Sequence, residues 1–544
     1  MNHRLQPRLW LGVLSGLLLT APMVAIFYAG WRLAALTFAP FSVFDWMTRA
    51  LPGGVVTFGI DTMVRVIRSL HVAGTATAAK TAEQAMAVLG FLIAGMLAGL
   101  VLFAILRFAG RKSALAIGLI MGGLIGIAVL MTSKGADQAT GGNPVPSGFW
   151  IMALFLAWGG ALGWVYRRFS PDRRPGDVTP SGEQLTVESM DRRRFVIRLG
   201  GSAAVITVLG AVVGQLSGNR GKREMSQVEE ELWSSHHALP NADAPVKPAS
   251  GTRPELTPVA QHYRIDINTA PPVVQAESWR LKIGGLVERP LALTLDDLRR
   301  YEPLHQFITL SCISNPVAGD LIGTTRWTGA SLKQLLPDLK LRPNATHLKI
   351  HAADSFYEIV ALDTIKGDER VMLAYDWDGV PLAAEHGFPL RIYIPDVYGM
   401  KQPKWIESIE ATDHWEPGYW VVRGWDREAR MKATSVIDTI AVNMMIGQAS
   451  ENTRVPVGGI AHAGARGISK VEVRVDNGPW ELAQLRSPLS GQTWVLWRYD
   501  WPFQKGKHTF TVRCFDGQGA AQITDEAPPH PSGASGLHTR SVML

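Results

Sequence analysis

Two patterns of hydrophobic residues divide the chain near residue 216. Before that position, long apolar runs are separated by short clusters of arginine, whereas after it apolar and polar residues alternate over short stretches. A membrane-spanning helix needs about 20 consecutive apolar residues. Five runs approach that length, which predicts five spans: Leu9–Tyr28, Ala85–Leu106, Ala114–Met131, Phe149–Tyr166 and Leu199–Leu216. The run Leu33–Phe44 is too short to span, and the more polar stretch after it is typical of an interfacial or amphipathic segment.

The arginine clusters predict an orientation for these spans. Basic residues are enriched in short loops on the cytoplasmic side of a membrane. The loop between the third and fourth spans carries only Lys134 and Asp137. The basic residues lie before the first span, between the second and third, and after the fourth: Arg4, Arg8, Arg107, Arg111, Lys112, Arg167, Arg168, Arg173 and Arg174. We therefore expect a multi-pass protein of the cell membrane with a cytoplasmic N-terminus and everything after Leu216 outside, in the periplasm or the extracellular space.

The start of the fifth span carries a second signal. The stretch "SMDRRRFVIRLGG" places Arg192 and Arg193 before Arg194 and Phe195. It resembles the twin-arginine export motif, which precedes a weakly apolar helix. The alternative is that the arginines only anchor the cytoplasmic end of the helix. Because twin-arginine export carries folded proteins, it is used when a cofactor is inserted in the cytoplasm, and the motif therefore predicts a cofactor.

Charge and composition exclude several classes of function. The net charge of +7 comes largely from arginine beside apolar runs, and the soluble half has no Lys/Arg-rich run, so we expect no nucleic-acid partner. Two cysteines in 544 residues cannot form a disulfide scaffold. The spans contain no His, Asp, Glu or Lys, so neither a haem nor a proton relay is predicted within them. This pattern favours an anchor or a docking bundle.

The soluble half reads as a linker followed by two domains. Residues 217–257 are rich in Pro, Ser and charge and are typical of a linker. Residues 258–430 alternate short strands with few helices, including a helix start at "TLDDL", which predicts an α+β domain. Residues 431–544 show only strands and turns, such as the hairpin signal Asp476-Asn477-Gly478, which predicts an all-β sandwich of the immunoglobulin-like type.

The two cysteines have different surroundings. Cys514 lies within a predicted strand and is most simply a small buried hydrophobic residue. In "FITLSCISNPVAGD", by contrast, Cys312 ends a strand and is followed by a polar turn. A nucleophilic cysteine would need a base, and His305 and His351 qualify only by residue type. No zinc-ligand spacing is visible. A buried structural thiol and a ligand to a soft metal held by an organic cofactor both remain open.

Three blocks of the soluble half carry a family resemblance. They are "SCISN" with "TTRWTGASLKQLL", then "AYDWDGVPLAAEHGFPLRIYIP", and "YGMKQPKWIESIE". On these blocks residues 258–430 resemble the molybdopterin-binding domain of the sulfite oxidase family, and residues 431–544 its C-terminal immunoglobulin-like dimerisation domain. The resemblance covers no span. It implies a molybdenum-molybdopterin cofactor whose metal is bound by Cys312, and it allows a homodimer.

The resemblance also assigns further site residues. It implies cofactor contacts for His386 and Arg391, and a contact of Lys404 with the cofactor phosphate. It places Asn315 at the cofactor and Arg264 near the metal-bound oxygen, in both a binding and a catalytic role. Arg423 matches a catalytic position. A forked or cationic donor suits such roles because the pterin ends in a phosphate.

The sequence departs from true sulfite oxidases at two positions. Those proteins carry an arginine shortly after the ligand cysteine, where residues 313–317 here contain none. They also carry a catalytic tyrosine, where Trp425 stands here, and Tyr419 is close by but out of register. The missing arginine puts sulfite in doubt as the substrate.

The sequence therefore predicts a membrane-anchored molybdenum oxidoreductase that transfers oxygen atoms outside the cytoplasm. A sulfoxide or N-oxide reductase of the methionine-sulfoxide-reductase type is the alternative to a sulfite oxidase, and a non-catalytic membrane receptor is the alternative to an enzyme. The expected substrate is a small oxyanion, sulfoxide or N-oxide. No haem-binding sequence precedes the molybdopterin-like domain, so a separate electron carrier, a cytochrome or a quinone-linked protein, is expected.

Overall fold

The computed structural model describes residues 8–69, 74–139, 144–170, 194–213, 231–442 and 453–544. The chain folds into two compact units, and neither is continuous in sequence. The first, called here the helical unit, comprises Met1–Leu51, Lys80–Glu224 and Ile267–Val273. The second, called here the β unit, comprises Pro52–Ala79, Met225–Asp266 and Val274–Leu544. The Arg192-Arg193 pair and residues 217–230 of the predicted linker lie outside the described residues.

Five helices in the described residues are long and apolar enough to cross a membrane, as the sequence predicts. They belong to α1 (Leu9–Ala34), α4 (Thr75–Ala109), α5 (Ala114–Ala139), α6 (Pro144–Phe169) and α7 (Arg194–Val213). The helix α4 begins ten residues before the predicted span, because its Ala-rich first turns favour helix although Lys80 and Glu83 are polar. The segments α2 (Ala39–Ala50) and α3 (Gly53–Ser69) are not among the five.

Glycine stripes determine how the helices of the helical unit pack. A Cβ atom at Gly16 of α1 would lie 2.3 Å from the carbonyl oxygen of Gly95 in α4. Likewise, a Cβ atom at Gly118 of α5 would lie 2.3 Å from the carbonyl oxygen of Gly159 in α6. Only glycine allows backbones to approach this closely, which is the usual packing of helices in lipid.

Polar residues bind the segment Ile267–Val273 into the helical unit. The backbone N–H of Thr269 donates to the carboxylate of the buried Asp45 at 2.9 Å. The ammonium of Lys80, which is also buried, donates to the carbonyl oxygen of Asn268 at 2.7 Å. Buried polar groups are stable only when they are paired in this way.

Two sheets form the first part of the β unit. The first has the order β2-β1-β10-β5-β6 and the second β3-β4-β7-β8, with β9 paired to β7. All pairs are antiparallel except β1 with β10, so the α+β prediction agrees with the sheets. The strands are β1 (Leu281–Gly285), β2 (Leu291–Leu293), β3 (Pro303–Ser311), β4 (Ile322–Ser331), β5 (His347–Ala352), β6 (Tyr357–Ala361), β7 (Met372–Trp377), β8 (Val380–Pro381), β9 (Arg391–Tyr393) and β10 (Ile406–Thr412).

Short helices cover these two sheets. They are α9 (Leu295–Arg299), α10 (Leu332–Leu339) and α11 (Leu362–Gly367), after α8 (Trp233–His236) earlier in the chain. The predicted helix start is confirmed, because the side chains of Thr294 and Asp297 form a capping box at the start of α9. The apolar faces of α9, α10 and α11 join the strands of the first sheet in one buried core.

The C-terminal part of the β unit consists of two four-stranded sheets, β11-β12-β16-β15 and β14-β13-β17-β18. Their inner residues share one core, in which Cys514 is fully buried. The hairpin signal at Asp476 is confirmed by the antiparallel pairing of β13 with β14. The strands are β11 (Thr434–Ile440), β12 (Arg454–His462), β13 (Ile468–Val475), β14 (Trp480–Leu482), β15 (Gln484–Leu485), β16 (Val495–Pro502), β17 (Lys507–Asp516) and β18 (His538–Met543).

The part of the predicted linker that the structure describes is packed against both parts of the β unit. The backbone N–H of Trp233 donates to the carbonyl oxygen of Asp378 at 2.6 Å, and that of Thr257 donates to Thr324 at 2.7 Å. Arg486, on the C-terminal side, donates to the carbonyl oxygen of Asn241 at 2.8 Å. The polar composition of this segment therefore reflects its position on the surface of the β unit, where its backbone groups find hydrogen-bond partners in other segments of the chain.

Candidate active site

Cys312 lies one residue beyond the end of β3, at the start of a tight loop. Its backbone N–H donates to the carbonyl oxygen of Leu321 at 3.0 Å, and the side-chain oxygen of Asn315 accepts from the N–H of Leu321 at 3.0 Å. These two hydrogen bonds join Leu321, at the end of the loop, to Cys312 and Asn315 near its start. The Cys312 sulfur lies 3.0 Å from the hydroxyl of Ser314, and burial raises the pKa of the thiol.

Three predicted cofactor residues and a buried carboxylate form a cluster near this loop. The guanidinium of Arg264 donates to Asp266 at 2.7 Å, and the ammonium of Lys404 donates to the same carboxylate at 3.2 Å. Lys404 also donates to the carbonyl oxygen of Glu385 at 3.0 Å. Arg391 is buried and donates to the carbonyl oxygen of His386 at 3.0 Å.

Aromatic rings enclose the cations of this cluster. The Arg391 guanidinium lies 4.6 Å from the ring centre of Trp327 and 5.2 Å from that of Trp377. Such contacts stabilise a desolvated cation. The ring of Trp377 also packs at 4.6 Å against each of two buried histidines, His262 and His386.

The electrostatics of the cluster are dominated by burial. Burial lowers the pKa of Lys404 to about 8, although Asp266 opposes this shift, and it lowers the pKa of Arg391 to about 10. Burial lowers the pKa of His262 to about 3 and that of His386 well below its ordinary value, so both imidazoles are neutral at pH 7. The positive charge of Lys404 also acts on the Cys312 thiol and opposes the effect of burial there.

Several buried polar atoms of this site have no hydrogen-bond partner in the described part of the chain. They include Nε2 of His386, Nε2 of His262 and Nε of Arg391. The carboxylate oxygen of Glu385 lies 3.7 Å from Nε2 of His386, beyond hydrogen-bond distance. Because leaving such atoms unsatisfied costs about 1–3 kcal/mol each, they mark a place built for a polar ligand.

Of the two remaining predicted residues, Trp425 and Arg423, only Trp425 packs beside the Cys312 loop. Trp425 is buried against Ile313, the neighbour of Cys312, in an apolar cluster that also contains Tyr398 and Met400. The guanidinium of Arg423 instead stacks 3.6 Å from the ring centre of Tyr419 and donates to that residue's carbonyl oxygen at 2.8 Å. The structure thus brings Trp425, but not the Arg423 guanidinium, to the residue beside the cysteine.

Other residues considered from the sequence have different surroundings. A ring nitrogen of His305 lies 2.9 Å from the hydroxyl of Thr328, and His351 lies on β5 beside the ring of Tyr357. The structure therefore assigns neither histidine to Cys312 as a base. Sequence reasoning missed His262, Tyr263 and Asp266, of which Tyr263 shares a small apolar cluster with Cys312. The only available signal was their position around Arg264 in "QHYRID".

Comparison with known proteins relates this part of the chain to molybdopterin enzymes. A family model described as "Oxidoreductase molybdopterin binding domain" matches residues 268–420. Mitochondrial sulfite oxidase of Macaca fascicularis is 27% identical over 286 residues, which cover 45% of this chain and 52% of that protein. Sulfite oxidase of Arabidopsis thaliana is 25% identical over 284 residues, covering 44% and 72%. Residues 268–420 thus form a molybdopterin-binding oxidoreductase domain similar to that of sulfite oxidases.

Further relatives of the sulfite oxidase family cover different shares of the chain. The "Uncharacterized oxidoreductase YuiH" of Bacillus subtilis is 29% identical over 147 residues, covering 27% of this chain and 72% of that protein. The crystal structure of the sulfane dehydrogenase SoxCD from Paracoccus pantotrophus aligns with a TM-score of 0.48 at 22% identity, covering 57% of this chain and 86% of that one. The chain spans about half the length of the first curated relatives it matches.

The cluster around Arg391 fits a molybdopterin cofactor. The pterin carries a phosphate and ring nitrogens, and the site offers three cations together with unpartnered donors and acceptors on His262, His386 and Arg391. The loop thiol of Cys312 is of the soft type that suits such a metal. The predicted enzyme class, a molybdopterin-dependent oxidoreductase, is thus supported by the family and is compatible with the side chains present.

Proposed function

We propose that the chain is a membrane-anchored oxidoreductase that removes an oxygen atom from a neutral S-oxide or N-oxide outside the cytoplasm. The observation that carries this proposal is the apolar contact of Ile313 with Trp425 beside Cys312, in a loop without an arginine from 313 to 317. An anion such as sulfite requires a charged or forked donor. A neutral oxide needs only a pocket of matching shape and one polar contact for its oxygen. Reduction of the S–O bond consumes two electrons and two protons and releases the sulfide and water.

The residues proposed for this chemistry belong to the cluster around Arg391 and to the Cys312 loop. Cys312 would supply the thiolate ligand to molybdenum, and the metal supplies the two-electron chemistry when it is bound. Lys404 and Arg391 would hold the phosphate and the pterin, and His386 would contact the cofactor through its unpartnered Nε2. Arg264, oriented by Asp266, would hold the metal end of the cofactor and bind the oxygen of the substrate. Asn315 would act mainly by closing the Cys312 loop, because its side-chain oxygen already accepts from Leu321.

The membrane position of the enzyme is part of the same proposal. Five apolar helices and the arginine clusters favour anchoring with the N-terminus inside. A reporter fused after Leu544 is expected to be active only outside, and replacing the Arg192-Arg193 pair by lysines should retain it in the cytoplasm.

The C-terminal part and the electron partner complete the proposal. Two four-stranded sheets around one core support an immunoglobulin-like domain, which in this family would serve a homodimer. The spans in the described residues carry no histidine that could ligate a haem. We therefore propose a separate cytochrome or quinone-linked protein as the electron donor.

Substrate assays test the proposed direction. With a reduced viologen as donor, the purified full chain should reduce a small sulfoxide, while sulfite with an artificial acceptor should be turned over weakly. Introducing Val317→Arg should raise kcat/KM for sulfite by about ten- to hundredfold, because one restored charge-assisted contact contributes about 1.5–3 kcal/mol. Adding Trp425→Tyr should raise it further. Efficient sulfite turnover by the unaltered enzyme would contradict the proposal and favour a sulfite oxidase.

The pH dependence of cofactor retention tests the role of Lys404. Because its folded pKa is lowered to about 8, Lys404 is charged below that pH and neutral above it. Its contribution to holding a phosphate is therefore present at pH 7 and lost as the pH rises through 8. Pterin retained after gel filtration should fall above pH 8, and the Lys404→Arg variant should retain it to higher pH, since arginine stays charged. Identical profiles for both proteins would assign the phosphate to another residue.

A further inference from the structure

The first turn of α4 lies beside the Cys312 loop, within the β unit. Ala76 is buried and belongs to one small apolar cluster with Cys312 and Leu321. The cluster is extended by Tyr263 and Ile265, the residues on either side of Arg264. The turn Thr75–Ala79 therefore forms part of the surroundings of the proposed metal ligand, although it precedes that ligand by more than 200 residues.

A single carboxylate attaches this turn to the cysteine loop. The backbone N–H of Thr75 donates to the carboxylate of Asp320 at 2.7 Å. The residue before the helix is Gly74, which has no side chain to cap it and adopts a φ of +76°. Asp320 thus supplies from another segment the acceptor that a helix start requires, and its negative charge suits the helix dipole. Asp320 directly precedes Leu321, whose carbonyl oxygen accepts from Cys312.

The preceding helix α3 approaches the site from another direction. A Cβ atom placed on Gly53 would lie 2.9 Å from the Cα atom of Arg423. Arg423 stands two residues before Trp425, which packs against Ile313 of the cysteine loop. Residues from the stretch between the first and second spans therefore contact the Asp320 side of the loop and the Arg423 turn.

We propose that the first turn of α4 is a wall of the active site and that Ala76 determines substrate size. The inference rests on the proposed oxide reduction and specifies its substrate class. A wall held by Asp320 would exclude a sulfoxide carried on a protein chain, because a polypeptide needs an open groove across the loop, whereas a free, small S-oxide or N-oxide does not. The methyl group of Ala76 is the smallest side chain that still closes this side.

Thiol labelling of the cofactor-free full chain tests the wall independently of activity. Asp320→Ala, which removes the acceptor of the Thr75 N–H, should accelerate modification of Cys312 by a bulky maleimide by about five- to thirtyfold, the effect of losing a typical helix cap. Asp320→Asn, whose side-chain oxygen still accepts, should keep the slow rate. Asp525→Ala, an exposed control, should have no effect, and Cys514 should stay unlabelled in all variants because it is buried in a separate core. Equal labelling of Asp320→Ala and the unaltered chain would overturn the proposal.

Turnover by the holoenzyme tests the substrate class. The unaltered enzyme should reduce dimethyl sulfoxide but not a peptide containing methionine sulfoxide. Ala76→Trp should lower kcat/KM more for a larger free sulfoxide than for dimethyl sulfoxide, with unchanged molybdenum and pterin per chain. The matched control is Ala520→Trp, an exposed alanine in the C-terminal part of the β unit, which should behave as the unaltered enzyme. Efficient reduction of the peptide would overturn the proposal that the first turn of α4 limits the substrate. If no oxide is reduced but thiol labelling is as expected, only the proposed function is contradicted.

Discussion

Replacing Cys312 with serine is expected to lower turnover by more than about a hundredfold while the chain folds as before. A hydroxyl has nearly the size of the thiol, so the loop should keep its hydrogen bonds through Leu321 and Asn315. It is, however, a poor ligand for a soft metal. Molybdenum per chain by mass spectrometry and the melting temperature would be measured beside activity. Full activity with bound molybdenum in the serine variant would remove Cys312 from the metal.

The second cysteine provides the control for this experiment. Cys514 is fully buried in the core shared by the two C-terminal sheets. Cys514→Ala should lower the free energy of unfolding by about 1 kcal/mol through lost packing, and it should leave kcat unchanged. Loss of molybdenum in this variant, with normal folding, would mean that the roles of the two thiols are reversed.

Replacing Arg391 with methionine is expected to have opposite effects on cofactor binding and on stability. Arg391 is buried between two tryptophans, and the described residues place no carboxylate within ion-pair distance of it. A buried cation without an anionic partner destabilises the fold. The free energy of unfolding of the cofactor-free variant should therefore be about 1–3 kcal/mol higher than that of the unaltered chain. The pterin retained per chain should nevertheless fall at least tenfold, because the cofactor phosphate loses a forked donor.

The measurements for Arg391 are differential scanning of the cofactor-free chain and pterin fluorescence after extraction. The matched control is Arg370→Met, since Arg370 is half-exposed and pairs with Asp368 at 2.7 Å. That variant should change neither quantity by much, because exposed ion pairs contribute little. A destabilised Arg391→Met chain that keeps its pterin would assign this arginine a purely structural role.

Much of the candidate site could be proposed from the sequence, because the resemblance to sulfite oxidases rests on short blocks. Cys312 was recognisable as a thiol at a strand end, whereas His386, Arg391 and Lys404 were proposed only through the resemblance of "HGFPLR" and "PKW". The contact between Asp266 and Lys404 was not predictable, since it joins residues 138 positions apart and neither periodicity nor spacing encodes such a pair. The positions of Trp327 and Trp377 around Arg391 were hidden for the same reason.

The sequence was sufficient to predict the apolar helices, the strands, and the division of the region after residue 257 into two parts. Five apolar helices agree with the hydropathy pattern, because burial in lipid depends on composition averaged over many residues. The start of α4 did not follow from hydropathy, because its first turns are Ala-rich but include the polar Lys80 and Glu83. The packing of residues 233–257 did not follow either, because it depends on hydrogen bonds to distant parts of the chain. The segment between the first two spans was interpreted as interfacial, and its contacts with Asp320 and Arg423 depend on tertiary structure alone.

The two units exchange segments, and this has a consequence for how such a protein can evolve. The β unit includes Pro52–Ala79 from within the membrane half of the sequence, and the helical unit includes Ile267–Val273 from within the soluble half. Recombination at the junction near residue 216 would therefore deprive each part of a piece that the other encodes. The helical unit cannot be exchanged as one continuous segment, and the two halves of the sequence are expected to accumulate substitutions in concert.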